Sequence, residues 1–90
     1  MNKVLNNEVI IIGKLLRVSK KLRIQNQDAI QLIIEVEDDN FKNIKNKVFA
    51  YALTDSKILL RNFIGKEIGI SGHILTHMGT KLIVDVIQMA

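Results

Sequence analysis

The stretch VFAYALTDSKILLRNFIGKEIGISGHI, residues 48–74, decides the fold, because its hydrophobic period changes twice. Extended back to Lys45, its first part reads KNKVFAYA. Alternation with period two puts Lys45, Lys47, Phe49 and Tyr51 on one face and Asn46, Val48, Ala50 and Ala52 on the other, the pattern of a strand. At Thr54 the alternation stops. Thr54, Asp55 and Ser56 offer side-chain oxygens to the free N–H groups of a first helical turn. Ile58, Leu59, Phe63 and Ile64 then recur near helical spacing. Gly65 follows as a C-cap, where a left-handed backbone costs glycine nothing. A short helix is therefore predicted at about 55–64. From Glu67 the period returns to two, with Ile68, Ile70, Gly72 and Ile74 on one face of a strand over 67–76.

Outward from this stretch the chain reads as more strand. Residues 8–16 (EVIIIGKLL) form a first strand that Gly13 interrupts, as at a bulge or sharp bend. Residues 18–23 read as a polar loop, with 22–24 prolonging the strand, and 25–28 (QNQD) as a turn. A second strand over 29–37 sends Ile30, Leu32, Ile34 and Val36 one way and Gln31, Glu35 and Glu37 the other. A loop over 38–43 leads to the third strand at 44–53. Met78-Gly79 makes a tight hairpin turn into a fifth strand over 81–88. The order is strand, strand, strand, helix, strand, strand. That is an all-β chain with the connectivity of a five-stranded OB-fold barrel, one short helix lying between the third and fourth strands. Such barrels bind oligonucleotides on strands two and three and with the loops joining strands 1–2 and 4–5.

Ninety residues allow one domain, residues 1–90, with a modest core. Isoleucine leads the apolar content, and β-branched residues favour strands. Without cysteine there is no disulfide and no thiolate metal site, which fits a reducing compartment. No run approaches the ~18 apolar residues of a membrane span. Val9 to Ile12 is too short for a signal peptide, so a cytoplasmic location with no membrane partner is expected. The net charge of +4 is clustered. Lys14, Arg17, Lys20, Lys21 and Arg23 fall within ten residues that hold no acid. Lys42, Lys45 and Lys47 form a second group, while Glu35, Glu37, Asp38 and Asp39 gather apart from both. A clustered basic surface points to an anionic partner.

With these elements in place the chain resembles the bacterial single-stranded DNA-binding proteins and the small primosomal replication proteins. NEVIIIGKL resembles the family's opening strand, and KKLR (20–23) sits where the family tends to show Pro-Glu-Leu-Arg. AIQLIIEV resembles the second strand. The stretch 48–74 resembles the third strand, helix and fourth strand, with Gly65 and Gly72 at the family's spacing. TKLIVDVI fits the last strand. The resemblance implies bases stacked on aromatic rings and phosphates neutralised by Lys and Arg. It puts Tyr51 at a stacking position and Lys45 where many members carry another ring. It also implies subunit pairing through the first strand. The long loop between the last two strands is replaced by the Met78-Gly79 turn, and the acidic tail that recruits partner enzymes is missing from this sequence. A minimal or accessory form, or a chain trimmed of its tail, reads the same.

The residues alone allow a functional and a plain reading of each feature. Phe49 and Tyr51 beside Lys45 and Lys47 suit a base-stacking face, because buried unpaired ammonium groups are costly and Val48, Ala50 and Ala52 are small enough for a narrow barrel interior. The plain alternative sends the rings inward. Lys14, Arg17, Lys20, Lys21 and Arg23 are phosphate contacts or ordinary solvated charges. His73 touches a phosphate or base, or nothing. His73 and His77 would stand roughly 13 Å apart on a strand, unsuited to zinc. The acidic group lacks the further oxygen ligands of an EF-hand loop. Gly65-Lys66-Glu67 is not a phosphate-binding loop, and no nucleophile elbow occurs. No catalytic constellation and no cofactor are expected. Outward-facing Ile10, Ile12 and Leu16 need cover, for which a homodimer or homotetramer is expected; the plain alternative is that the N-terminal segment or the helix covers them. The expected function is sequence-tolerant single-stranded DNA binding in replication, repair or recombination. The alternatives are a primosomal-type accessory protein with a replication-protein partner, or a single-stranded RNA binder.

Overall fold

The computed structural model describes residues 8–24, 26–38, 40, 43–53, 60–76 and 79–89. Among the described residues six strands follow one another: β1 (Val9–Val18), β2 (Leu22–Ile24), β3 (Gln27–Glu37), β4 (Lys45–Ala52), β5 (Glu67–Leu75) and β6 (Lys81–Met89). They form one sheet in the order β1-β5-β6-β4-β3-β2, and a further β1–β3 pairing closes five of them into a barrel. All neighbours are antiparallel except β4 and β6, which run parallel from Ala50 opposite Leu82 to Ala52 opposite Val84. This is the expected OB-fold barrel. The short β2 hangs on β3 outside the closed ring.

Closure depends on β1 changing partners. Val9 to Lys14 pair with β5, and Lys14 to Val18 pair with β3. Gly13 stands just before the switch. A Cβ there would overlap the Glu35 carbonyl oxygen and come within 2.9 Å of Ile34 Cγ2, so only glycine lets the strands approach this closely. Just past the switch the β1–β3 register shifts between Leu15 and Arg17, making Leu16 the extra residue of a bulge. The bulge puts both Leu15 and Val18 inside. Val18, expected in a polar loop, is thus a core residue at 6% exposure, and Leu16 is half-buried rather than outward.

Two more boundaries move. Leu22–Ile24 does not prolong the first strand but pairs back onto β3, Leu22 opposite Ala29 and Ile24 opposite Gln27. The expected turn at 25–28 is narrower, because Gln27 and Asp28 already belong to β3 and Asn26 takes the left-handed backbone at φ 67°. The N-terminal part of the predicted helix, residues 55–59, and Met78 of the predicted hairpin lie outside the described residues. Leu60 and Arg61 are helical, and Leu60 is buried in the core. Gly65 at φ 90° ends this segment, as its predicted cap role requires. Its N–H donates to the Leu15 carbonyl (2.7 Å), and the Leu15 N–H donates to the Lys66 carbonyl (3.0 Å), docking the turn on β1.

The core is aliphatic. Leu15, Ile30, Leu32, Ile34 and Ile68 are the largest fully buried side chains, with Ala50, Ala52, Ile70 and Leu82 around them. Each large side chain removed from water contributes roughly 1.5–3 kcal/mol. The small Ala50 and Ala52 on β4 fit a narrow interior. Because they turn inward, the other parity of β4 must face out, and that places the candidate site.

Candidate nucleic-acid interface

On β4 the outward residues are Lys45, Lys47, Phe49 and Tyr51. Phe49 is 52% exposed, Tyr51 is half-buried, and both lysines are exposed. The rings therefore stand on the outside of the barrel beside the lysines, as the period-two reading expected. The register builds rows across the sheet. One row runs Arg17, Ile33, Phe49 through β1, β3 and β4. A second runs Gln31, Tyr51, Ile83, His73 through β3, β4, β6 and β5. A third runs Lys14, Glu35, Lys47, and in a fourth Glu37 faces Lys45.

The second row is built most closely. Gln31 Nε2 donates to the Tyr51 hydroxyl oxygen at 3.0 Å. Lys81 Nζ lies over the Tyr51 ring, 5.9 Å from its centroid, within cation–π range. Ile83 is only 3% exposed, yet it stands apart from the core cluster, opposite Tyr51 on one side and His73 on the other. His73 Nδ1 sits 2.9 Å from Asp85 Oδ2, so this histidine, expected to be a phosphate or base contact, already faces a carboxylate.

The basic residues have closer acidic neighbours than their sequence spacing suggested. Asp28 lies 3.5 Å from Lys21 and 3.7 Å from Arg23, brought there by the β2–β3 pairing. Arg23 also donates to the Asn26 carbonyl oxygen at 2.7 Å. Lys45 Nζ is 3.9 Å from Glu35 Oε1, and Lys47 is the direct cross-strand neighbour of Glu35. The Asp28 pairs are exposed and of the kind worth about 0–1 kcal/mol, so a phosphate can compete for Lys21 and Arg23, whereas Lys45 is the exposed partner of a half-buried Glu35. Lys14, Arg17 and Lys20 are exposed. Lys42 lies outside the described residues.

Ser19 links the basic stretch to the ring face. Its N–H donates to the Gln31 carbonyl (2.9 Å), and its Oγ accepts from the Gln31 N–H (2.8 Å). The chain bearing Lys20 thus leaves β1 beside the row that carries Tyr51. Three members of this face were not singled out from sequence: Lys81, Gln31 as a partner of the ring, and Ser19. The outward parity of Gln31 was legible. Lys81 meets Tyr51 only through the parallel β4–β6 pairing, which no local pattern encodes.

The acidic side chains hold structure here. Asp38 Oδ1 accepts from the Asn40 N–H at 2.8 Å, closing a local turn. Among the described residues no group of three or more His, Cys, Asp or Glu is gathered for a metal ion. His77 and Asp39 lie outside them.

A second outward patch lies on β1, β5 and β6. Ile10 and Ile12 are 69% and 63% exposed. Ile10 aligns with Ser71 and Val86, and Ile12 with Gly69 and Gln88, so small residues on β5 leave a shallow trough between Ile10 and Ile12 on one side and Val86 and Gln88 on the other. Among the described residues, the edge of β1 away from β5 has no partner strand from Val9 to Gly13.

Comparison with known proteins gives the fold. No family model and no curated protein matches the chain. Among solved structures it is similar to the mitochondrial single-stranded DNA-binding protein of S. cerevisiae, with TM-score 0.72, 12% identity, and 91% of this chain and 90% of that one covered. It is similar to the SSB domain of a Synechococcus sp. protein, with TM-score 0.68, 12% identity, and 97% and 99% covered. It is also similar to the dimeric N-terminal domain of a PriB protein from Thermoanaerobacter tencongensis, with TM-score 0.66, 14% identity, and 96% and 98% covered. At such low identity the likeness shows a shared barrel along almost the whole chain. It does not carry individual residues across.

Proposed function

We propose that this protein is a non-catalytic, sequence-tolerant binder of single-stranded DNA. One observation carries the reading: Phe49 and Tyr51 stand on the outer sheet face, Phe49 in a row with Arg17, Tyr51 in contact with Lys81, and Lys47 two residues before Phe49 on the same face of β4. A ring on an open sheet face offers a surface on which any base can stack, and cations around it neutralise the backbone. Lys14, Lys20, Lys21, Arg23 and Lys45 extend the positive surface, while His73 lies at the end of the Tyr51 row. Support for DNA comes from the solved neighbours that are described as single-stranded DNA-binding proteins. The cellular setting proposed is replication, repair or recombination in the cytoplasm, which suits a chain without cysteine.

The test is fluorescence anisotropy of labelled oligo(dT) across a salt series, beside duplex of equal length and oligo(U). The reading expects salt-sensitive preference for the DNA single strand. Equal or tighter binding of oligo(U) would move the proposal to RNA, since stacking and phosphate contacts serve both. No binding at low salt would sink it.

A second reading has its own observation. Asp28 beside Lys21 and Arg23, and Glu35 beside Lys45, lower the pull on phosphate. That favours an accessory protein of primosomal type acting mainly through a replication protein. Nanomolar affinity for oligo(dT) at 0.15 M salt would count against it.

The proposed assembly is a homodimer joined through β1, with a tetramer as the larger form. Ile10, Ile12 and Val86 form an apolar outward patch, the adjoining β1 edge has no described partner, and one solved neighbour is described as dimeric. Sedimentation should give a dimer or larger for the wild type and a monomer for Ile12→Glu. A wild-type monomer at high concentration would overturn the assembly.

A further inference from the structure

We infer that Gln31 is a positioning residue for Tyr51, fixing the ring in the pose that a base meets. The inference rests on the base-stacking reading above. A tyrosine on a strand face turns about two side-chain torsions, and a free ring can lie down on the sheet as easily as stand from it. Here the free end of the ring is tied. Gln31 is its direct cross-strand neighbour on β3, and Gln31 Nε2 reaches the Tyr51 hydroxyl at 3.0 Å. Gln31 is itself held at the backbone, its N–H by Ser19 Oγ and its carbonyl by the Ser19 N–H. A reciprocal Ser19–Gln31 pair and the Gln31–Tyr51 bond therefore link the end of β1 to the tip of the ring. Both side chains are half-buried, so water competes less for the terminal bond than at an open surface. A ring held before binding loses less freedom when a base stacks on it, which raises affinity without any new contact to the ligand.

The role is one of orientation, which makes it separable from direct contact. If Gln31 acts only through the hydroxyl, removing the amide and removing the hydroxyl are the same perturbation. Gln31→Ala and Tyr51→Phe should each weaken oligo(dT) binding by roughly three- to tenfold, the scale of one hydrogen bond. The double variant should bind no more weakly than the worse single one, because the coupled terms do not add. The slope of log affinity against log salt should stay at the wild-type value in all three, since no phosphate contact is lost. Tyr51→Phe keeps the ring and is the conservative control should Gln31→Ala fold poorly.

The experiment is this double-mutant cycle, read by anisotropy of labelled oligo(dT), with Tyr51→Ala measured alongside. Equal single losses without additivity support the positioning role. Additive losses overturn it, because Gln31 then touches the ligand on its own account. Wild-type binding by Gln31→Ala, with Tyr51→Ala weakened, overturns it and leaves the stacking platform intact. Wild-type binding by a folded Tyr51→Ala removes the platform itself, and the positioning role with it.

Discussion

Replacing Glu35 by glutamine should tighten single-strand binding, and the size of the gain follows from the geometry. Glu35 Oε1 lies 3.9 Å from Lys45 Nζ, and Glu35 is paired across the sheet with Lys47. A phosphate held by Lys45 adds a charge-assisted contact of roughly 3 Å, so it sits about 7 Å from the carboxylate. Two unit charges at that distance repel by about 0.6 kcal/mol at the permittivity of water. With a Debye length of ~8 Å at 0.15 M salt, about 0.25 kcal/mol remains, and roughly twice that if the surface halves the effective permittivity. Two phosphates, one at each lysine, bring the relief to about 0.5–1 kcal/mol, or roughly two- to fivefold in affinity. Glutamine keeps the shape of the side chain, so the crowded approach of β1 and β3 beside Glu35 is not disturbed. Anisotropy of labelled oligo(dT) at 0.01, 0.15 and 1 M salt reads the effect. The gain should be largest at the lowest salt, where screening extends to ~30 Å, and vanish at the highest. A folded Glu35→Gln that binds no more tightly at 0.15 M would refute the reasoning, because phosphates would then not pass Lys45 and Lys47.

Three further outcomes are expected. Tyr51→Ala should weaken oligo(dT) binding by about 1–3 kcal/mol with the salt slope unchanged, measured in the same titration. Lys81→Ala should lower the magnitude of the salt slope by about 0.7, one phosphate contact on a single strand, and a slope equal to wild type would remove Lys81 from the interface. Gly13→Ala places a methyl group against the Glu35 carbonyl where β1 changes partners. Overpacking of this kind costs about 1–3 kcal/mol, and thermal denaturation should show Tm lowered by roughly 5–20 °C.

Much of the fold was legible because the barrel writes itself in alternation. Small Ala50 and Ala52 against Phe49 and Tyr51 set the facing of β4, and Ile30, Leu32 and Ile34 against Gln31 and Glu35 set that of β3. What the pattern hid were the places where period two breaks. The bulge at Leu16 shifts the parity of β1, so Val18 becomes a core residue although polar residues follow it. Leu22–Ile24 is too short to show a period, and its pairing is fixed by the tight turn at Asn26. The rings and their lysines were legible from one strand. The acids that temper those cations were not, because Asp28 and Glu35 arrive through cross-strand pairing. Lys81 was hidden for the same reason, being some thirty residues from the ring it covers.

The central claim is that a nucleic-acid base stacks on Tyr51, and the composition supplies a direct probe of it. The chain has one tyrosine and no tryptophan, so its tyrosine emission reports that ring alone. The protein should be titrated with oligo(dT) at low salt while tyrosine emission and the anisotropy of a labelled oligonucleotide are followed together. The account predicts saturating quenching of the emission on the same curve as the anisotropy. Binding by anisotropy with unchanged tyrosine emission would contradict the stacking assignment, and absence of binding by either signal would contradict the function.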